Sequence, residues 1–364
     1  MQKQYGTRGD HGSVATLASF STPRTISDKF FGQHIHGYPG TISRPSLSYS
    51  TVRNLDYSLA SRRIAWWDIE TSKGVFYWTA LDAWVAQNET DGVDMVFTFC
   101  FSPPWAVAAA ATGDAAYSTK GNQPPDNNSD WVDWIAAVVT RYGVRIKYYQ
   151  GWNEPNLPQY YGGAAATSAR LAELQRILYQ TVKAIQPTAV ILSPCFTSVF
   201  TGIDGLVAYL AASDADGGTG KSWFDVLSYN FYCNNDSRRI HGLWQMWQGV
   251  QTAMVDAGIS KPVWTTETGL ITPSLKTYSE ADKATLVSAY MLSLAVLGVE
   301  RAIYYGYDDG IIGFDDSAEA VAAWNLLASR ISGRTFSSGS IKFSGNRTYT
   351  VTMGDVSHTV TDVP

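Results

Sequence analysis

Eight short apolar runs recur through the middle of this chain at intervals of about 30 to 50 residues, and that rhythm limits its fold more than any other feature. They lie at 30–36, 57–64, 93–101, 146–151, 190–193, 225–231, 262–267 and 302–305. Most are followed by a longer amphipathic stretch, clearest at 79–89, 131–142, 168–185, 242–257, 279–297 and 318–330. Strands alternating with helices imply right-handed parallel βαβ units. Eight such units in about 300 residues satisfy a (β/α)8 barrel of the TIM type. An open doubly wound sheet is the alternative, but no GxGxxG or GxxxxGK[ST] loop follows the first strand.

The two ends of the chain differ from the middle. Residues 1–28 are rich in Ser, Thr and Gly, with strand-like alternation at 14–20. Residues 331–364 lack helical periodicity and read as short strands at 340–343, 349–353 and 358–360. The expected organisation is an N-terminal segment (1–28), a barrel (29–330) and a small C-terminal β segment (331–364). Because chain ends often lie close together, the two terminal segments are expected to form one antiparallel patch on the barrel's side.

Chemistry in such barrels sits where the strands end. The fourth strand ends in Tyr148-Tyr149-Gln150-Gly151-Trp152-Asn153-Glu154-Pro155-Asn156, the seventh in Val263-Trp264-Thr265-Thr266-Glu267-Thr268-Gly269. Each places a glutamate among aromatics, hydroxyls and amides. Pro155 fixes the backbone next to Glu154. Glu267 ends a β-branched, buried run. Two such glutamates are the parts for paired-carboxylate catalysis. Trp105, Trp152 and Trp264, also at strand ends, offer flat faces for sugar rings, with Trp105 the foremost. Alternation puts His34 and His36 on one side of the first strand's end, within reach of a bound sugar.

These segments resemble known enzymes. Trp152-Asn153-Glu154-Pro155-Asn156 is similar to the Asn-Glu-Pro signature closing strand four of clan A glycoside hydrolases. Thr266-Glu267-Thr268-Gly269 is similar to their strand-seven nucleophile segment. The closer resemblance is to family 39, which holds β-xylosidases and exopolysaccharide hydrolases. Trp67-Asp68-Ile69-Glu70 with Gly74 and Leu81-Asp82 resembles the stretch after that family's second strand. Phe101-Ser102-Pro103-Pro104-Trp105-Ala106 resembles its strand-three end, and Phe224-Asp225-Val226 through Tyr232 its strand six. The resemblance spans roughly residues 30–310, with the motifs in order.

It implies a retaining glycosidase with Glu267 as nucleophile and Glu154 as acid and base. It also implies Tyr232 as hydrogen-bond donor to the nucleophile and Asn153 as donor to the sugar's 2-hydroxyl. Glu154 must be protonated before attack, so burial and its negative neighbour should raise its pKa. The carboxyls of a retaining pair stand about 5 to 5.5 Å apart. Three positions depart from the family pattern. Asn230 replaces the usual strand-six His. Tyr304, Tyr305 and Tyr307 stand where a Trp is common. Arg62 and Arg63 are only approximate matches to the strand-two Arg. Asn230 and Tyr307 are nonetheless expected to line the sugar site. The short C-terminal portion favours an open cleft and internal cleavage of a polysaccharide, with an exo-acting β-xylosidase-like enzyme and a non-catalytic carbohydrate-binding barrel as alternatives.

Composition narrows the partners. Charged residues are 16% and aromatics 13%, which excludes disorder over most of the chain. Net charge is −5 with no Lys/Arg run longer than a pair, which argues against nucleic acid as partner. No apolar stretch reaches the 18 residues of a membrane span. Residues 1–6 contain no apolar signal-peptide core, so an extracytoplasmic home would require a leader beyond this sequence. Three cysteines (100, 195, 233) and five histidines in no metal-ligand spacing imply neither a disulfide framework nor a metal or other cofactor. The cysteines read as small buried hydrophobes. Asp214 and Asp216 lack the later ligands of a calcium loop and read as part of a solvated excursion. The sequence is silent on oligomeric state.

Overall fold

The computed structural model describes residues 15–34, 52–54 (backbone only), 65–107, 121–232, 239–270, 277–305, 313–314, 316–345 and 348–361. The central parallel sheet contains β1 (Phe31–His34), β2 (Val52–Asn54), β3 (Asp94–Thr98), β4 (Tyr148–Gln150), β5 (Val190–Leu192), β6 (Leu227–Tyr232), β7 (Val263–Gly269) and β8 (Arg301–Tyr304). A ninth segment, Phe196–Thr197, pairs with β6. In spatial order the sheet runs Phe196–Thr197, β6, β7, β8, β1, β2, β3, β4, β5. Its two outermost members belong to one stretch of chain. Between them Leu192 makes an isolated parallel bridge to Val226, and Ser193 N–H donates to the Val226 carbonyl at 2.9 Å.

Helices follow seven of the strands: α1 (Thr79–Thr90), α2 (Asn128–Tyr142), α3 (Ser168–Ile185), α4 (Thr201–Ala211), α5 (Arg239–Asp256), α6 (Glu280–Leu297) and α7 (Ala318–Ile331). The chain is thus an α/β protein with a parallel sheet, as its rhythm implies. The second described strand is Val52–Asn54, and the strand expected at 57–64 lies outside the described residues. Side-chain hydroxyls set several helix starts. Thr167, Ser279 and Ser317 accept from the backbone N–H three residues on, which satisfies an otherwise orphan donor.

The termini form a separate antiparallel sheet in the order Ala15–Phe20, Gly339–Phe343, Thr348–Met353, Val356–Thr361. Its inner face presents Ile341, Tyr349, Val351, Met353, Val356 and Val360, all buried, while threonines alternate outward. That face packs on α6. The contact explains why α6 is apolar nearly all round, with every residue from Leu286 to Leu297 buried. One side meets the parallel sheet and the other the terminal sheet. Among the described residues no helix is long and apolar enough to cross a membrane.

Inside the parallel sheet, Val96, Tyr148, Leu192, Val226, Trp264 and Ile303 form their own apolar cluster. Val96, Tyr148, Trp264 and Ile303 lie at the amino end or in the middle of their strands, Val226 just before β6, and Leu192 ends the short β5. They fill one face of the sheet with apolar side chains, and the polar residues of the sequence motifs lie beyond them at the carboxyl ends of β4 and β7.

Candidate active site

Among the described residues three non-glycine positions have left-handed backbone, and all follow carboxyl ends of sheet strands: Phe101 (φ 63°), Glu154 (φ 43°) and Ser198 (φ 78°). Such conformations cost of order 1 kcal/mol or more and persist where surrounding structure imposes them. At Glu154 the cause is visible. Asn153 bridges to Cys195, Glu154 N–H donates to the Cys195 carbonyl at 2.6 Å, and the chain must then reverse. Pro155 takes the second position of that turn, whose closing bond runs from Leu157 N–H to the Glu154 carbonyl at 2.9 Å. The glutamate is aimed by a turn that proline favours.

Glu267 is aimed by a different device. Between β6 and β7 the register passes from Ser228–Trp264 to Phe231–Thr268; between β7 and β8 it passes from Thr265–Ala302 to Thr268–Tyr304. Against both neighbours β7 therefore carries one extra residue between Thr265 and Thr268. This β-bulge breaks the alternation of side chains. Thr266 points inward, within 3.1 Å of the Ser228 hydroxyl, whereas Thr268 points outward to the Phe231 carbonyl (2.8 Å) and the Tyr290 hydroxyl on α6. With the extra residue inserted, Glu267 need not alternate away from Thr266.

Each carboxylate has a named donor on β6. Asn230 Nδ2 donates to Glu154 Oε1 at 3.0 Å, and the Tyr232 hydroxyl donates to Glu267 Oε2 at 3.3 Å. Both glutamates are 7% exposed. Burial pushes the Glu154 carboxyl up from 4.5 to about 7, against the opposing hydrogen bonds from Asn230 and Thr197. Burial, and then the charge of Glu267, keep the Tyr232 phenol far above its ordinary range, so it remains a donor.

A buried polar layer lies beneath. The Cys195 thiol donates to Asn230 Oδ1 at 2.8 Å, and Thr266 Oγ1 stands 3.4 Å from both the same oxygen and the Cys195 sulfur. Cys195, Asn230, Thr266 and Ser228 are all fully buried. The sequence reading missed Cys195, Thr197 and Thr266 as members of the site. Their place at strand ends was the available signal.

The remaining expected residues separate. Asn153 is buried beside Glu154, its backbone N–H close to the Cys100 thiol. His34 is buried at the end of β1 with its ring 4.6 Å from that of Tyr305, which in turn meets Tyr232 edge-on at 6.0 Å. An aromatic wall thus links β1 to the Glu267 donor. His36 and Tyr307 lie outside the described residues.

Two tryptophans are not where a sugar platform at the carboxylates requires them. Trp264 is the second residue of β7, at the opposite end from Glu267. Its ring is buried against Tyr148 (5.0 Å) and under the Arg301 guanidinium (4.2 Å). It is inward-facing, as alternation demands, but too low. Trp105 donates its indole N–H to the Glu70 carbonyl (2.8 Å) and lines a cavity of about 760 Å³ with Phe76, Trp78 and the outer face of α2. Neither glutamate lines that cavity. Glu70 is itself fixed by its neighbours: its carboxylate accepts from Trp66 Nε1 (2.6 Å) and Gly74 N–H (2.7 Å). Trp152 is also internal, its N–H on the Tyr160 carbonyl.

Nor is the Asp214 loop arranged around a cation. Asp214 Oδ1 accepts from the N–H groups of Asp216 and Gly218, and Asp216 pairs with Arg176 at 2.6 Å. Among the described residues no cluster of three or more His, Cys, Asp or Glu side chains could hold a metal.

No curated protein matches the chain in sequence. Solved structures match in fold. A family 39 glycoside hydrolase from Bacteroides cellulosilyticus WH2 superposes with TM-score 0.63 at 18% identity, covering 92% of this chain and 70% of its own. A monomeric β-xylosidase from Caulobacter crescentus CB15 gives 0.62 at 17%, covering 91% and 73%. A glucosidase from Croceicoccus marinus gives 0.60 at 14%, covering 93% and 77%. The family model described as the glycosyl hydrolase catalytic core matches residues 125–334, which is more than half of the chain and includes both glutamates. The protein belongs to the glycosyl hydrolase catalytic core family.

Proposed function

We propose that the protein is a retaining glycoside hydrolase that cleaves an oligo- or polysaccharide by double displacement. The observation that carries this is the split in carboxylate environments. Glu154 is buried, with a pKa raised to about 7, while Glu267 accepts from a phenol that stays protonated. A carboxyl whose pKa is raised by burial is suited to deliver a proton, which gives Glu154 the acid role and leaves Glu267 as the nucleophile.

Glu267 attacks the anomeric carbon as the bond to the leaving oxygen breaks, and Glu154 delivers its proton to that oxygen. A glycosyl ester on Glu267 results. Glu154, now ionised, takes a proton from water, whose oxygen attacks the anomeric carbon and releases Glu267. Asn153 is positioned to donate to the 2-hydroxyl. The same reading takes the sheet as a closed (β/α)8 barrel, joined where Leu192 and Phe196–Thr197 meet the β6 stretch. Proton NMR of fresh product tests it: the first anomer formed must keep the substrate's configuration. The opposite anomer would overturn the roles.

We further propose internal cleavage of a polymer. The likeness to the C. crescentus β-xylosidase favours the alternative, removal of terminal sugars. Product length decides: internal cleavage lowers viscosity before monosaccharide accumulates.

A further inference from the structure

An asparagine beside an acid catalyst poses a problem that a histidine does not. Its amide has two ends of similar shape and opposite hydrogen-bonding sense. With the NH2 end toward Glu154, the contacted oxygen accepts, and the acid's proton must sit on the other oxygen. With the C=O end toward Glu154, the carboxylic acid can donate to the amide instead, which traps the proton and favours the protonated form. Only the first arrangement leaves a proton for a leaving group.

The surroundings of Asn230 decide between them. Oδ1 faces the Cys195 thiol at 2.8 Å and the Thr266 hydroxyl at 3.4 Å, and Nδ2 faces Glu154 Oε1 at 3.0 Å. Ser228, 3.1 Å from Thr266, extends the chain of hydroxyls below. A thiol is a weak donor and a weaker acceptor, so it favours a carbonyl oxygen opposite it over an amide N–H. Cys195 is fully buried, and burial holds its thiol above its ordinary pKa, so it stays S–H. Its backbone is fixed as well, through the Asn153 bridge and the Glu154 N–H bond to its carbonyl. One residue thus holds both the main chain at Glu154 and the amide that touches its carboxyl.

We infer that Cys195 is a positioning residue: its thiol keeps the Asn230 amide turned with N–H toward Glu154 Oε1, so that the acid proton is carried on Oε2. This rests on the assignment of Glu154 as acid and base.

The test compares Cys195→Ala, which removes the donor, with Cys195→Ser, which keeps one within reach. Values of kcat/KM are measured on glycosides with poor leaving groups and on activated aryl glycosides. Cys195→Ala is expected to slow the poor leaving groups about three- to tenfold, the effect of one neutral hydrogen bond. Activated substrates, which need no proton, change less than twofold. The alkaline limb of the pH profile moves upward, because a donor to Glu154 is lost. Cys195→Ser restores both readouts. Equal slowing of both substrate classes, an unmoved limb or failure of Ser to rescue overturns the inference. If Cys195→Ala does not fold, Thr266→Val removes the second donor to the same oxygen and must change the same readouts in the same directions. Glu154→Gln separates the levels: if it leaves poor leaving groups unaffected, the acid assignment has failed, and not merely the relay.

Discussion

Asn230 and Tyr232 stand two residues apart on β6, and each holds a different carboxylate, Glu154 at 3.0 Å and Glu267 at 3.3 Å. Residues at that spacing share a face of a strand and lie about 7 Å apart along it. One strand therefore sets the relative height of groups carried by two other strands. The bulge in β7 and the turn at Pro155 bring each glutamate to that common rail.

Loss of the two carboxylates should have unlike consequences. Glu267→Ala should lower turnover by more than about a thousandfold, since no covalent intermediate can form. Azide should restore activity and give a glycosyl azide of inverted configuration. Glu154→Ala should lower kcat/KM for poor leaving groups far more than for activated aryl glycosides. Identical losses on both substrate types would contradict the division of labour.

The pH profile follows from Glu154. It must be protonated for the first step, and burial places its pKa at about 7. So kcat/KM should fall as pH rises through about 7, with a tenfold loss per unit beyond. A titration of initial rates measures this directly. A flat profile to pH 9 would show that another group supplies the proton.

The same burial should make the fold sensitive to alkali. A folded-state pKa raised from 4.5 means that the ionised form opposes folding. The neutral carboxyl's contribution is intact below about pH 4.5 and is lost as pH rises through 7, by up to about 3 kcal/mol. Glutamine cannot ionise. Glu154→Gln should therefore melt above the parent at pH 8, and the gap should close at pH 5. A gap independent of pH would rule out this origin.

Tyr232→Phe removes the donor to Glu267 while keeping the ring. Turnover should fall about ten- to a hundredfold with KM little changed, as a developing or departing carboxylate loses one stabilising bond. Steady-state kinetics on one aryl glycoside suffices to check it. A change confined to KM would make Tyr232 a substrate contact instead.

Particular residues mark what the sequence made legible. Glu154 and Glu267 could be found because strand ends collect chemistry, and their flanking motifs are distinctive. The terminal sheet could be found because alternation in 348–353 is strict. Asn230 was expected to line the sugar site, but its hydrogen bond to Glu154 was not foreseen, because a contact with a neighbour 76 positions away leaves no local signal. The bulge at Thr266–Glu267 was hidden for a related reason: an extra residue is extra only relative to partners on β6 and β8. Trp105 and Trp264 were misplaced because strand-end spacing cannot say how far along a strand a residue rises, nor which cavity a loop then enters.

Trp264 tests that last point. Its ring closes the interior floor beneath Arg301 and against Tyr148, at the amino end of β7. Truncation should leave a cavity among Val96, Leu192, Val226 and Ile303, which are too rigidly held by paired strands to fill it. Large-to-small changes of this kind cost about 3–5 kcal/mol. Trp264→Ala should therefore lower the melting temperature by several degrees. Well below that temperature, KM should match the parent, because no sugar reaches the plug. A stacking platform predicts the reverse, a raised KM with an unchanged melting temperature, and the two measurements on one variant decide between them.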